Sequence, residues 1–167
     1  MQNAYHAAAW QPLWTTVAAS SAALLGLLFV ALSVNLRAIV DKPEHTARAR
    51  EALGQLLVLL VLSIFALVPG QDRQVLGAEF LVFGCLIIAL SIYLEGQTLK
   101  RIEIGRRSRW LLRDMVFNVG ILGIPVTGTS LVLGRYGGLF WLVPTVLIFF
   151  AWSSTNAWVL ILSAAGE

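Results

Sequence analysis

The chain has 167 residues, of which 58% are hydrophobic and 13% charged, with a formal net charge of +3. Soluble domains carry roughly 25% charged residues and about 45–50% apolar ones, so this composition excludes a water-exposed globular surface and points to an integral membrane protein. The positive excess is not a nucleic-acid footprint, because that requires a basic face on a folded soluble domain.

A helix crosses the ~30 Å hydrocarbon layer with roughly 20 apolar residues. Five stretches meet that need: 14–36, 52–68, 75–94, 111–133 and 139–163. None alternates with the period of two that a membrane β-strand shows. The expected fold is therefore all-α, one transmembrane domain over 1–167 built as a five-helix bundle. The leading segment MQNAYHAAAWQPLW lacks the basic region of a cleavable signal, so the first helix is expected to remain as an anchor.

The first helix carries Ala18, Ala22 and Gly26 at four-residue spacing, with Ser33 and Asn35 toward its end. Small residues at this spacing let helix backbones approach in lipid. The stripe serves either packing within the chain or self-association, including a pore lining around an oligomer axis. Arg37, Lys42, Arg48 and Arg50 follow, and Glu51 is placed to pair with Arg37 across the first hairpin.

The second helix stops at Pro69-Gly70, and Pro69-Gly70-Gln71-Asp72 forms a tight turn that makes the second and third helices antiparallel neighbours, as Gly134-Arg135-Tyr136-Gly137-Gly138 does for the fourth and fifth. One turn into the third helix sits Glu79. It is read either as an ion or proton ligand, with Thr127 or Thr129 as hydroxyl partners, or as a charge favoured by the helix dipole. Cys85 is the single cysteine, so no disulfide within the chain and no Cys/His metal cluster is expected.

Lys100, Arg101, Arg106, Arg107, Arg109 and Arg113 surround the 95–110 connection, the longest expected outside the membrane. Together with the first connection it holds ten of the twelve Lys and Arg residues, leaving Arg73 and Arg135 for the other two. By the positive-inside rule the N-terminus is expected outside and the C-terminus inside. Trp10, Trp14 and Trp141 then fall at the outer interface and Trp110 at the inner one. The loop is either only a topology signal or a surface for anionic headgroups through Lys100, Arg101, Arg106, Arg107 and Arg109.

The fourth helix contains Asn118, Gly120, Gly123, Pro125, Thr127, Gly128, Thr129 and Ser130. Pro125 removes a helical hydrogen bond, which predicts a kink or a broken helix beside a polar cavity, with the hydroxyls serving the freed carbonyls. The fifth helix carries Ser153, Ser154, Thr155 and Asn156 near its middle, and Asn118 and Asn156 lie at similar depth. The two amides are expected either to bond across helices or to line a polar path. No nucleophile motif or phosphate loop occurs, and His6 and His45 are isolated, so neither an enzyme nor a cofactor is expected.

The string AALLGLLFVALSVNL at Ala22 to Leu36, with Val68-Pro69-Gly70-Gln71 and Leu76-Gly77-Ala78-Glu79, resembles a group of small uncharacterised bacterial membrane proteins, mainly actinobacterial. The resemblance covers about half of the chain and implies a bacterial plasma membrane, with no activity attached. Gly26, Val30 and Ala31 are also similar to the Gly-x-x-x-Val-Ala pore helix of Orai calcium channels. Here, however, no Glu stands at the acidic filter position, where Val34 is nearest, and the helix direction is reversed. The expected roles are an accessory or regulatory membrane subunit acting through helix contacts or, alternatively, a homo-oligomeric channel or small transporter lined by the first or fourth helix. Membrane lipids and a homo-oligomer or larger membrane complex are the expected partners, and nucleic acid is not.

Overall fold

The computed structural model describes residues 2–34, 36–40, 43–101 and 107–165, and every regular element among them is helical. For residues 2–3, 37–38, 43–44, 95, 98–101, 107–118 and 161–165 the description is of the backbone. Helix α1 spans Gln11–Val34, α2 Leu36–Val40, α3 Pro43–Leu67, α4 Arg73–Arg101, α5 Arg107–Leu133 and α6 Leu142–Ala165. Short 3₁₀ turns, Gln2–Tyr5 and Ala7–Trp10, precede α1, and Gly138–Trp141 leads into α6. Four stretches are apolar and long enough to cross a membrane: Ala7–Val34, His45–Leu67, Arg73–Leu94 and Gly138–Leu160. The described apolar part of α5 is shorter, Val119–Leu133.

Helices extend further than hydropathy alone suggests. α3 begins at Pro43, where proline suits a first helical position because its φ is preset and its missing N–H would have no partner anyway. α4 has 29 residues and continues to Arg101, about 43 Å at 1.5 Å per residue. Residues 95–101 and 107–110 of the expected long loop are thus helical: Glu, Gln, Lys and Arg are good helix formers, and a hydropathy scan stops where the apolar residues stop.

Neighbouring helices run in the order α1, α3, α6, α5, α4. This corrects the expectation that the second and third predicted helices, α3 and α4, pair as neighbours, while the fourth and fifth, α5 and α6, do. The turn at Val68–Asp72 is tight, but α3 and α4 share few contacts beyond it, one of them the edge-on pair of Phe65 and Phe83 with centroids 5.6 Å apart. α3 packs instead along α1 and α6, and α4 along α5. Gly77, Gly84 and Gly128 explain the choice. A Cβ on Gly128 would lie 2.7 Å from the Gly77 carbonyl and 2.7 Å from the Leu81 amide nitrogen, and one on Gly84 would lie 2.8 Å from the Pro125 ring. The backbones of α4 and α5 approach as closely as side-chain-free positions allow, and α3 offers no such face.

The interior nearest the two tight turns is filled by Trp14 and Val17 of α1, Leu59 and Leu62 of α3, Leu76 and Phe80 of α4, Ile121 and Ile124 of α5 and Phe149 of α6. Trp14 is fully buried, which corrects its expected place in an interfacial aromatic belt. It lies on the same face of α1 as Val17, Ser21 and Leu28, the buried residues of that helix. Trp141, by contrast, is 48% exposed.

The end carrying both tight turns is capped by the N-terminal segment. Gly134, Tyr136, Gly137 and Gly138 all have positive φ, and the Ser130 hydroxyl ties this turn together, donating to the Arg135 carbonyl and accepting from the Gly138 N–H at 2.8 Å. The Tyr5 hydroxyl accepts from the Gly137 N–H at 3.0 Å. The Ala4 carbonyl occupies the space that a Cβ on Gly138 would need, and φ there is +54°. Gly138→Ala is therefore expected to release residues 2–10 while leaving the bundle folded. Hydrogen exchange would show faster exchange confined to that segment and the 134–141 turn; unchanged protection there would refute the clamp.

Candidate functional site

Polar groups gather in two places. The first is the seam between α3 and α6 at the basic end of the bundle. Ser153 Oγ donates to the Ala52 carbonyl at 3.2 Å, and Asn156 Nδ2 donates to Glu51 Oε2 at 3.4 Å. Asn156 is 2% exposed, and its partner is on α3, whereas the sequence suggested Asn118 of α5. The Asn118 side chain lies outside the described residues. Gln55, one turn along α3 from Glu51, is 1% exposed, and neither atom of its amide has a hydrogen-bond partner. Trp152 Nε1 on α6 is likewise buried and unbonded.

The second place is a cavity of about 640 Å³ at the capped end, between the N-terminal segment, the last turn of α3 and the first turn of α4. Its polar lining includes Tyr5, His6, Gln11, Gln71, Asp72 and Arg73. The Arg73 guanidinium lies over the Tyr5 ring, 5.9 Å from the centroid, and rests against Gly134. Gln71 Oε1 is buried without a donor.

The remaining sequence candidates are distributed as follows. Glu79 is half-buried with Oε2 unbonded. The hydroxyls expected beside it are engaged elsewhere, Thr127 with the Gly123 carbonyl at 2.7 Å and Thr129 with the Pro125 carbonyl at 2.8 Å. Each hydroxyl bonds four residues back along its own helix, the local back-bonding open to Ser and Thr within helices. α5 continues as one α-helix through Pro125, so the broken-helix alternative does not hold.

Of the stripe on α1, Ala18 is half-buried and the rest faces outward. Ala22 and Gly26 are exposed, and a Cβ on Gly26 would meet nothing within 4 Å. Internal packing, one of its two expected uses, is thereby ruled out at Gly26, because the buried face of α1 is the one bearing Trp14 and Ser21. Ser33 is exposed and bonds back to the Phe29 carbonyl at 2.8 Å. Ser154 and Thr155 are also exposed, on the opposite side of α6 from Ser153 and Asn156. Asn35 and Arg106 lie outside the described residues, as do the side chains of Lys100, Arg101, Arg107 and Arg109 and the Arg37 side chain proposed to pair with Glu51.

Tyr5, Gln55, Gln71 and Arg73 carry polar groups at these two places that were not among the site candidates of the sequence. Gln55 carried a signal, being the one amide inside the apolar run from Leu53 to Leu67. The other three come together only through the fold of the N-terminal segment onto the turn. Among the described residues no group of three His, Cys, Asp or Glu side chains is placed to hold a metal. Neither a family model, a curated protein nor a solved structure matches this chain.

Proposed function

We propose that the protein is a non-catalytic integral membrane protein that acts as an accessory or regulatory subunit, joined through α1 to an apolar transmembrane helix of a larger complex. In this reading all five long helices cross a bacterial plasma membrane. The basic ends of the helices are cytoplasmic, as the placement of ten of the twelve Lys and Arg residues supports.

The observation that carries the reading is the contrast in how small residues are used. Gly77, Gly84, Gly120, Gly123 and Gly128 all lie against neighbouring helices, whereas Gly26, like Gly54 and Gly96, has open space where a Cβ would stand, and Gly26 follows the exposed Ala22 by one turn on the outward side of α1. A glycine within a helix costs about 0.5–1 kcal/mol relative to alanine, and nothing inside this chain offsets that at Gly26. A permeation path through a single copy is disfavoured by the interior described above: Trp14, Leu59, Leu62, Phe80 and Phe149 are fully buried there.

Reconstitution tests both parts. In nanodiscs and proteoliposomes the purified chain is expected to conduct no ions. In native membranes a photo-reactive residue at Gly26 is expected to give one discrete adduct containing a second membrane protein, while the same probe at the exposed α4 position Val82 gives lipid adducts only. Gly26→Leu should abolish co-purification of that partner at fixed stoichiometry without lowering the stability of the isolated chain. An adduct of two copies of this chain, accompanied by ion flux, would overturn the accessory reading in favour of a homo-oligomeric channel.

A further inference from the structure

We propose that Asn156 is a proton-operated latch between α6 and α3: the Glu51 carboxylate holds it in the structure, and it passes to the Gln55 amide when that carboxylate takes up a proton. The latch goes beyond the accessory reading and does not depend on which partner α1 meets.

Among the described residues, both amide atoms of Gln55 on α3 and Nε1 of Trp152 on α6 are buried without a hydrogen-bond partner. The three atoms belong to one stretch of the same seam. Gln55 follows Glu51 by four residues and Ala52 by three, and those two residues are the ones that bond α6. Trp152 precedes Asn156 by four residues on α6. Since α3 runs toward the capped end and α6 runs away from it, the turn next to the Glu51–Asn156 bond sets Gln55 opposite Trp152. None of the three atoms is open to water in this arrangement, so only a movement of side chains across the seam brings them a partner. Residues four apart on a helix face have Cβ atoms about 5–6 Å apart, which puts Gln55 within reach of an Asn156 side chain that now points to Glu51.

That one movement accounts for all three atoms. A primary amide is both donor and acceptor. Turned toward Gln55, Asn156 donates from Nδ2 to Oε1 and accepts at Oδ1 from Nε2, and Oε1 keeps a second lone pair for the Trp152 N–H. What holds Asn156 at Glu51 instead is charge, because an N–H bond to a carboxylate is roughly twice as strong as one between neutral groups. The bond is long, 3.4 Å, and protonation of Glu51 removes its advantage. The Ser153 hydroxyl, donating to the Ala52 carbonyl at 3.2 Å, takes part in neither arrangement and keeps the two helices in register while the amide moves.

Glu51 is half-buried at the basic end, and the proton reaches it from that side. On its own helix the charged or titratable neighbours are His45, Arg48 and Arg50. Neither α1 nor α6 presents a charged side chain among its described residues, and the side chains of Arg37, Asp41, Lys42 and Glu44 lie outside them. Glu51 has a further interaction besides the Asn156 amide, so it is not orphaned when the amide leaves.

The full-length chain in mixed micelles, carrying isotope-labelled tryptophan, reports the latch through the Trp152 indole N–H resonance, assigned with Trp152→Phe. Acidification of the wild-type chain, or Glu51→Gln at neutral pH, is expected to move this resonance downfield, as a new hydrogen bond does, and Gln55→Met to abolish the move. Unfolding supplies a second readout. Gln55→Met is expected to raise the unfolding midpoint in the wild-type chain, where the amide is unpaired, and to lower it in the Glu51→Gln background, where the amide is paired. If Glu51→Gln does not fold, acid titration of the wild-type and Gln55→Met chains gives the same contrast. An unmoved Trp152 resonance, a move that survives Gln55→Met, or the same sign of Gln55→Met in both backgrounds would overturn the proposal.

Discussion

Replacing Gln55 by methionine should raise the stability of the chain by about 1–3 kcal/mol, the cost of burying an amide that makes no hydrogen bond. Few single substitutions in a natural protein are expected to act in this direction. Gln55 is 1% exposed, and both amide atoms lack partners. Methionine has nearly the same length and flexibility, so the site is filled without new strain. Reversible unfolding in mixed micelles would measure the change. A loss of stability would show instead that the amide is satisfied in the folded protein by a bound water or another molecule. That outcome would turn the seam of Glu51, Gln55, Ser153 and Asn156 from structural glue into a binding site.

The opposite sign is expected at the α4–α5 contact. Gly128→Ala should destabilise by about 1–3 kcal/mol, the usual penalty of overpacking, and Gly128→Leu by more. The atoms in the way belong to the backbone of α4, the Gly77 carbonyl and the Leu81 nitrogen, each 2.7 Å from the added Cβ. No rotamer change relieves such a clash, so the two helices must separate. Gly54 in α3 is the matched control. Nothing lies within 4 Å of a Cβ there, so Gly54→Ala should be neutral or stabilise by up to ~1 kcal/mol through helix propensity. Equal effects at Gly128 and Gly54 would mean that the close approach of α4 and α5 is not a feature of the folded protein in lipid.

Taken together, these substitutions separate two uses of polarity and small size. Thr127, Thr129, Ser153 and Asn156 all find acceptors within the chain, whereas among the described residues Trp14, Ser21, Gln55, Gln71, Glu79 and Trp152 each hold a buried polar atom without a partner. Of these, Gln71 borders a cavity large enough to receive a ligand. Gln55 is enclosed within the bundle, and Glu79 lies one turn below Leu76 of the cavity floor.

Helical class, the five segments and the two tight turns were readable from the order of residues, and the reason is local. In lipid each backbone hydrogen bond must close within its own segment, so twenty apolar residues followed by Pro69-Gly70 or by the glycines at 134, 137 and 138 carry their meaning without reference to the rest of the chain. Which side of each helix meets another helix was not readable. Leu27 and Leu28 are adjacent and chemically identical, yet Leu27 is 68% exposed and Leu28 6%. Lipid tails are as apolar as leucine, so no difference in hydrophobicity marks the packed face, and the choice falls to shape. Shape set Gly77 and Gly84 against Gly128 and Pro125, left Gly26 open, drew Trp14 into the interior and turned Asn156 toward Glu51. The cavity around Arg73 has the same origin, because Tyr5 reaches it only by folding back over a turn more than sixty residues further along the chain.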